Sequence, residues 1–276
     1  MSIWNKLTAL PREVVMALVV LAMIVPAINP LGLPLMTGGM AEAWYRTVEE
    51  LPEGSVILFD IGYGSGGYPS LGPGQIVALK QMFENGHKVI LMATALEGSM
   101  MYPLIMEDVK PEDRFGAVYG EDYLFLGYIS GGQTAMAGVL GNIRSLVSND
   151  YQGNPLDSFA IMEGVNSAED FDLVGYLTTS GDTAEGWVYQ AYSQYNRPVI
   201  GGCLSMMTTS IKPYYDSGQL LGLMDGIKGA ADLEFLTGYP GEAIVSSDIL
   251  SFTQTLVLIF IAVGNISYFM GGQEES

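Results

Sequence analysis

The segment SVILFDIGYG (residues 55–64) decides the fold class of this chain. It is a run of apolar residues with Pro52-Glu53-Gly54 before it and a cluster of glycines after it, which predicts a strand buried on both faces. The stretch 74–86 has apolar residues at helical spacing and ends at Gly86, which predicts a helix with a glycine stop. A buried strand followed by a helix is the first half of a βαβ unit.

The same alternation repeats along the middle of the chain. Four further strands are predicted, at 88–96, 123–130, 172–180 and 197–205. Helical patterns follow three of them, and the one after the fourth strand opens with Asp182 as a carboxylate cap and Glu185 three residues on. We therefore expect an α/β domain of Rossmann-like or flavodoxin-like type, with three layers and a mainly parallel sheet. Residues 148–170 are expected to be an insertion or long connection.

Both ends of the chain carry long runs without charge. Residues 14–36 and 249–270 contain no Asp, Glu, Lys, Arg or His, and each run is long enough to cross a bilayer as a helix. A cleaved leader would begin in the same way, but no A-x-A-like site follows Val25, so a retained anchor is favoured. The predicted organisation is listed in chain order: a short segment 1–13, a transmembrane helix 14–36, the α/β domain 42–247, a second transmembrane helix 249–270 and an acidic tail 271–276.

Charge indicates the orientation in the membrane and excludes one class of partner. Lys6 and Arg12 precede the first span and no Lys or Arg flanks the second, so both termini are expected in the cytoplasm and the domain outside. The net charge is −19, with 30 acidic and 11 basic residues, which disfavours nucleic acid as a partner. The expected partners are the cell membrane's lipid bilayer, further copies of the chain and an unidentified small molecule.

The loops after the predicted strands are rich in Gly, Ser and Thr. In an open α/β sheet the ligand crevice lies outside the carboxyl ends of the strands, so these loops could offer backbone N–H groups and hydroxyls to a ligand. The candidate ligand-binding residues are Gly64, Ser65, Gly66, Ser130, Gly131, Ser180 and Gly181. Loops of this composition also occur simply because short connections must turn.

The first of these loops, GYGSGG, resembles a dinucleotide-binding fingerprint loosely. Gly67 completes the pattern G-x-G-x-x-G only when the count starts at Gly62. Pro69, Pro73 and added length before a helix starting near residue 74 disfavour the tight turn of that motif. No G-x-x-x-x-G-K-[ST] pattern is present, and with one cysteine and one histidine a structural zinc site is excluded. We expect no metal and no cofactor.

A few side chains could carry chemistry at the same sheet edge. The weak catalytic candidates are Asp60, Glu97, Ser130, Asp182 and Cys203. Asp60, Glu97 and Asp182 could form an acidic cluster for a cation or for acid–base work, although the position of Asp182 also fits a helix cap. Cys203 follows a strand as a nucleophile would, but His87 is predicted at the opposite sheet edge, which favours an inert thiol.

Small residues recur every four positions in residues 217–231, at Gly218, Gly222, Gly226 and Ala230. This spacing fits a helix with a flat face for contact with another subunit, or else a glycine-rich loop or a helix packed on its own sheet. Gln254 and Asn265 lie on one face of the second span and need hydrogen-bond partners in lipid. These six residues are the predicted oligomer contacts.

Three functions from different classes follow from these features. The first is a membrane-anchored scaffold that self-assembles into a homo-oligomer and has no evident catalytic machinery. The second is a small-ligand-binding or sensory membrane protein that uses the Gly/Ser-rich crevice. The third is a membrane-bound hydrolase.

Overall fold

The computed structural model describes residues 11–28 and 38–271. The chain divides into two compact units, of which one is residues 36–243 and the other is formed by the two chain ends. The predicted segment 1–13 and tail 271–276 lie mostly outside the described residues, and so do the last eight residues, 29–36, of the predicted span 14–36.

Residues 38–243 form an α/β domain around one sheet of six strands. All neighbouring strands are parallel, and their spatial order is β3-β2-β1-β4-β5-β6. This is the order of the Rossmann sheet rather than the flavodoxin sheet. The strands are β1 (Val56–Gly62), β2 (Lys88–Ala93), β3 (Tyr123–Tyr128), β4 (Leu173–Thr178), β5 (Val199–Cys203) and β6 (Gly222–Asp225).

Helices cover both faces of the sheet, which is why the strands are apolar along their whole length. The helices are α1 (Arg12–Ile28), α2 (Gly39–Glu49), α3 (Tyr68–Glu84), α4 (Gly98–Val109), α5 (Pro111–Phe115), α6 (Gln133–Leu146), α7 (Gly181–Trp187), α8 (Thr208–Asp216), α9 (Gly226–Thr237) and α10 (Glu242–Gly271). One face carries α2, α3, α4 and α9, and the other carries α6, α7 and α8. Residues 148–170 form a long connection with three short 3₁₀ turns.

All five predicted strands are confirmed, and the sixth strand, β6, was not predicted. Residues 217–231 are not one helix, because the segment contains a turn at Gly218, the strand β6 and the start of α9 at Gly226. Gly222 lies inside the domain, where an added Cβ would be 2.4 Å from the Cα of Trp44. Ala230 is also buried. The prediction of a helical stripe of small residues is therefore wrong. Packing inside the domain explains the small side chains at Gly222 and Ala230, whereas Gly218 and Gly226 have positive φ angles of 77° and 49°.

Two helix starts differ from the prediction. Helix α3 begins at Tyr68 rather than near residue 74, with Pro69 in its first turn, where a missing backbone donor costs nothing. Helix α7 is capped by Ser180, whose hydroxyl accepts a hydrogen bond from the Thr183 amide at 3.3 Å. Asp182 is the second residue of that helix and is exposed, so the prediction that it caps the helix is wrong.

The second unit contains the two terminal helices. Among the described residues, one helix is long and apolar enough to cross a membrane, over Glu242–Phe269, and its most apolar stretch is unburied. The described part of α1 is 17 residues long and apolar after its first two residues. A groove of ≈ 440 Å³ is lined by Leu18 and Ala22 of α1 and by residues of α10 that include Phe252 and Leu256. Gln254 and Asn265 are exposed on α10.

Candidate functional site

An open crevice lies at the carboxyl ends of β1 and β4. These two strands are neighbours, but the chain leaves β1 towards β2 and leaves β4 towards β5, so the connections diverge. Such a switch point is where open α/β sheets bind ligands. The crevice has a volume of ≈ 500 Å³ and is lined by Gly64, Gly66, Gly67, Ala95, Leu96, Glu97, Thr179 and Leu204.

The glycine loop joins β1 to α3 without extra residues. Strand β1 ends at Gly62 and α3 begins directly after Gly67, so the count that starts at Gly62 is the relevant one. An added Cβ at Gly62 would be 2.8 Å from the Cβ of Thr178. At Gly67 it would be 2.6 Å from Cγ2 of Thr179. The loop therefore has the spacing and strand–helix context of the G-x-G-x-x-G motif, and the expectation of added length was wrong.

Glu97 reaches the glycine loop from the connection between β2 and α4. Its Oε2 accepts hydrogen bonds from the Ser65 amide at 2.9 Å and from the Ser65 hydroxyl at 2.8 Å. These donors hold the pKa of the exposed Glu97 carboxyl below its ordinary value. Glu97 is the only charged side chain that lines the crevice in the described chain. The loops after the first five strands contain no Lys or Arg.

Asp60 lies two residues before the end of β1 and is fully buried. Its carboxylate accepts hydrogen bonds from the Thr94 amide at 2.8 Å, the Thr94 hydroxyl at 2.6 Å and Nε1 of Trp187 at 2.7 Å. Burial raises the pKa of Asp60 to about 6, and the three donors oppose this rise only in part. Asp60 therefore ties β1 to the end of β2 and to α7, which is a structural role.

The remaining predicted residues are not brought into the crevice. Ser130 and Gly131 follow the edge strand β3 and are exposed. Ser180 and Gly181 follow the lining residue Thr179 but form the start of α7. Within residues 11–28 and 38–271, no group of three His, Cys, Asp or Glu side chains could hold a metal ion, so Asp60, Glu97 and Asp182 do not converge.

Cys203 is the last residue of β5 and has no exposed surface. Burial raises the pKa of its thiol to about 11, and its Sγ lies 3.9 Å from the Thr208 hydroxyl. His87 precedes β2 at the opposite sheet edge, where Nε2 lies 3.1 Å from the Val48 carbonyl oxygen. A Cys–His pair is therefore absent from the described chain, and Cys203 stays a predicted inert thiol.

Several residues of the site were not predicted. Leu96, Thr179 and Leu204 line the crevice, and Trp187 holds Asp60 from α7. The sequence signal for the three lining residues was their position, since they lie in the last two residues of predicted strands and follow the observed strand ends by one to three residues. Trp187 had none, because only the fold brings α7 over the end of β1.

Comparison with protein-family models, curated proteins and solved structures finds no match to the chain. The function must therefore be argued from the crevice itself.

Proposed function

We propose that the chain is a membrane-anchored α/β protein that binds a nucleoside-type ligand in the crevice between β1 and β4. The observation that carries this proposal is the G-x-G-x-x-G loop from Gly62 to Gly67, which opens α3 at the switch point of a sheet with Rossmann strand order. Strand, loop and helix stand here in the context that distinguishes a nucleotide-binding loop from a chance pattern of glycines.

The composition of the crevice supports a nucleoside. Its volume of ≈ 500 Å³ is within the range of small-molecule sites. Leu96 is 73% exposed on one wall, and a flat base placed against it would bury apolar surface. Glu97 follows β2, where the acidic residue that bonds ribose hydroxyls is found in sheets of this type. The Glu97 carboxylate can accept such a hydrogen bond while it also accepts those from Ser65.

Ligand binding is now better supported than a self-assembling scaffold. The scaffold hypothesis depended mainly on a helical stripe in residues 217–231. That segment instead contains the strand β6, and Gly222 packs inside the domain. Contact between copies through Gln254 and Asn265 in lipid stays a proposal, which the mass of the detergent-solubilised particle tests. A hydrolase finds no support in the site, because Asp60 and Cys203 are buried in structural surroundings.

Binding of adenosine to the full chain in detergent tests the proposal. An added Cβ at Gly66 meets no atom within 4 Å, so Gly66→Leu should fold normally and place its side chain in the crevice. We expect saturable binding to the wild type by calorimetry and at least about tenfold weaker binding to Gly66→Leu, a loss of about 1.4 kcal/mol. Gly39→Leu is the matched control, because Gly39 also has open space but lies on α2.

Two outcomes would refute this assignment. If adenosine shows no saturable binding, the crevice is not a nucleoside site. If Gly66→Leu binds adenosine as the wild type does, the ligand sits elsewhere on the protein.

We also propose that α10 and the predicted span 14–36 both cross the membrane, with both termini in the cytoplasm. The support is the apolar length of α10, the uncharged run after Arg12, and the basic residues Lys6 and Arg12 before it. The α/β domain then faces the outside, where it meets ligands from that compartment.

Single cysteines test this topology, because the native Cys203 is fully buried and gives little background. We expect a membrane-impermeant maleimide to label Glu163→Cys on intact cells, since Glu163 is exposed on the domain. Ser2→Cys and Ser276→Cys should react only after the membrane is opened. Labelling of the two ends alone would reverse the orientation, and labelling of one end alone would leave a single span.

A further inference from the structure

The glycine loop already holds an anion, which is the carboxylate of Glu97. Oε2 of Glu97 accepts hydrogen bonds from both the amide and the hydroxyl of Ser65. An added Cβ at Gly64, the second glycine of the motif, would lie 2.4 Å from that same oxygen. In a dinucleotide-binding loop the second glycine lets the backbone approach the pyrophosphate. Here the carboxylate makes that approach instead.

Other amides at the start of α3 are also in use. The amides of Gly67 and Tyr68 both donate to the Gly64 carbonyl oxygen, at 2.9 and 3.1 Å. Pro69 has no amide hydrogen, and the Ser70 amide donates to the Gly67 carbonyl oxygen at 3.1 Å. A phosphate at this loop would therefore have to displace Glu97 or accept a negative charge beside it.

No lining side chain compensates that charge. Among the described lining residues Glu97 alone is ionised at neutral pH, and no Lys or Arg stands in the loops after the first five strands. Like charges placed together at a binding site cost several kcal/mol when water is excluded and less when they are screened. The loop thus has the shape of a nucleotide-binding turn, but a carboxylate occupies the position that a phosphate would take.

We propose that Glu97 is a specificity-determining residue that occupies the anion position of the glycine loop and excludes phosphorylated ligands. The crevice would then take a nucleoside without a phosphate at its 5′ end. This inference rests on the proposed nucleoside site. A carboxylate that merely ties two loops together would leave ligand selectivity unchanged when its charge is removed, so selectivity is the measurement that separates the two roles.

Binding of adenosine and of AMP to the full chain in detergent tests this role. We expect the wild type to bind AMP at least about tenfold more weakly than adenosine, the effect of an uncompensated like charge. Glu97→Gln removes the charge and keeps an oxygen acceptor for Ser65, and should bring the two affinities together. Glu97→Ala should move the ratio in the same direction. Glu121→Gln, an equal charge change at the exposed amino end of β3, should leave it unchanged.

The possible outcomes distinguish ligand selection by Glu97 from nucleoside binding in the crevice. If the wild type binds AMP as tightly as adenosine, or if neither Glu97 variant changes the ratio while circular dichroism shows both folded, Glu97 does not select the ligand, and the nucleoside site stands. If neither compound binds the wild type, the inference and the nucleoside site both fail.

Discussion

Asp60→Ala should lower the free energy of unfolding of the α/β domain by about 2–4 kcal/mol at pH 5. The substitution leaves the Thr94 amide, the Thr94 hydroxyl and Nε1 of Trp187 without their common acceptor in a buried place. A buried donor without a partner costs about 1–3 kcal/mol, and the Thr94 hydroxyl can turn to reduce its share. Urea unfolding of the full chain in detergent, followed by tryptophan fluorescence, measures the change.

The effect should depend on pH in a defined direction. Burial raises the pKa of Asp60 from an ordinary 3.8 to about 6, so between these values the folded protein holds a proton that the unfolded chain has released. The contribution of Asp60 to stability is therefore complete below the lower value and declines as pH rises to about 6. The destabilisation by Asp60→Ala should be smaller at pH 7.5 than at pH 5, by about 1.4 kcal/mol for one pH unit within this window.

A second aspartate provides the control for this experiment. Asp172 accepts a hydrogen bond from the Val56 amide at 2.8 Å, but it is exposed, so water can replace it. Asp172→Ala should cost about 1 kcal/mol or less. Equal losses for the two variants, or a loss for Asp60→Ala that grows with pH, would show that the Asp60 network is not what fastens β1 to α7.

Gly222→Ala should destabilise the domain by about 3 kcal/mol or more, at the upper end of the overpacking range. The new Cβ would be 2.4 Å from the Cα and 2.5 Å from the backbone nitrogen of Trp44. Backbone atoms cannot turn aside as a flexible side chain does, so α2 would have to leave β6. Trp44 is itself fully buried, and its movement would open the core.

Gly39→Ala is the control, because Gly39 lies in α2, the helix that contains Trp44. An added Cβ at Gly39 meets no atom within 4 Å, so the substitution should be neutral or stabilising by up to about 1 kcal/mol. Urea unfolding measures both variants. If Gly222→Ala instead kept its stability and reduced the size of the solubilised particle, the glycine would lie on a contact surface between copies and not inside the domain.

The strands that could be predicted are those whose apolar residues strongly favour a buried strand over other structures. VILFDIG and VILMA are runs of Val, Ile, Leu and Phe bounded by turn residues, and both form central strands. Strand β6 is only four residues long, GLMD, and its glycine leaves no strand-like pattern. Small residues at intervals of four then imitated a helix face. Gly222 is small because α2 packs closely on it, whereas Gly218 and Gly226 have positive φ angles.

The sequence predicted at which end of the sheet the site lies, but not the full set of residues that line it. The rule that ligands bind at strand carboxyl ends pointed to Gly64, Gly66 and Glu97, and these do line one crevice. Thr179 joins them because β4 is the neighbour of β1, and strand order is a property of the whole sheet that no local pattern contains. For the same reason the contact of Glu97 with Ser65, across 32 residues, had no sequence signal.

Photolabelling of the full chain with 8-azidoadenosine tests the central claim most directly, because it reports where a nucleoside sits. If the crevice is the site, modified peptides should come from the loops at residues 62–67, 94–97 and 179–180, which surround it. Excess adenosine and the Gly66→Leu substitution should each suppress that labelling. Labels on other surfaces, or labels in these loops that neither treatment reduces, would contradict a nucleoside site between β1 and β4.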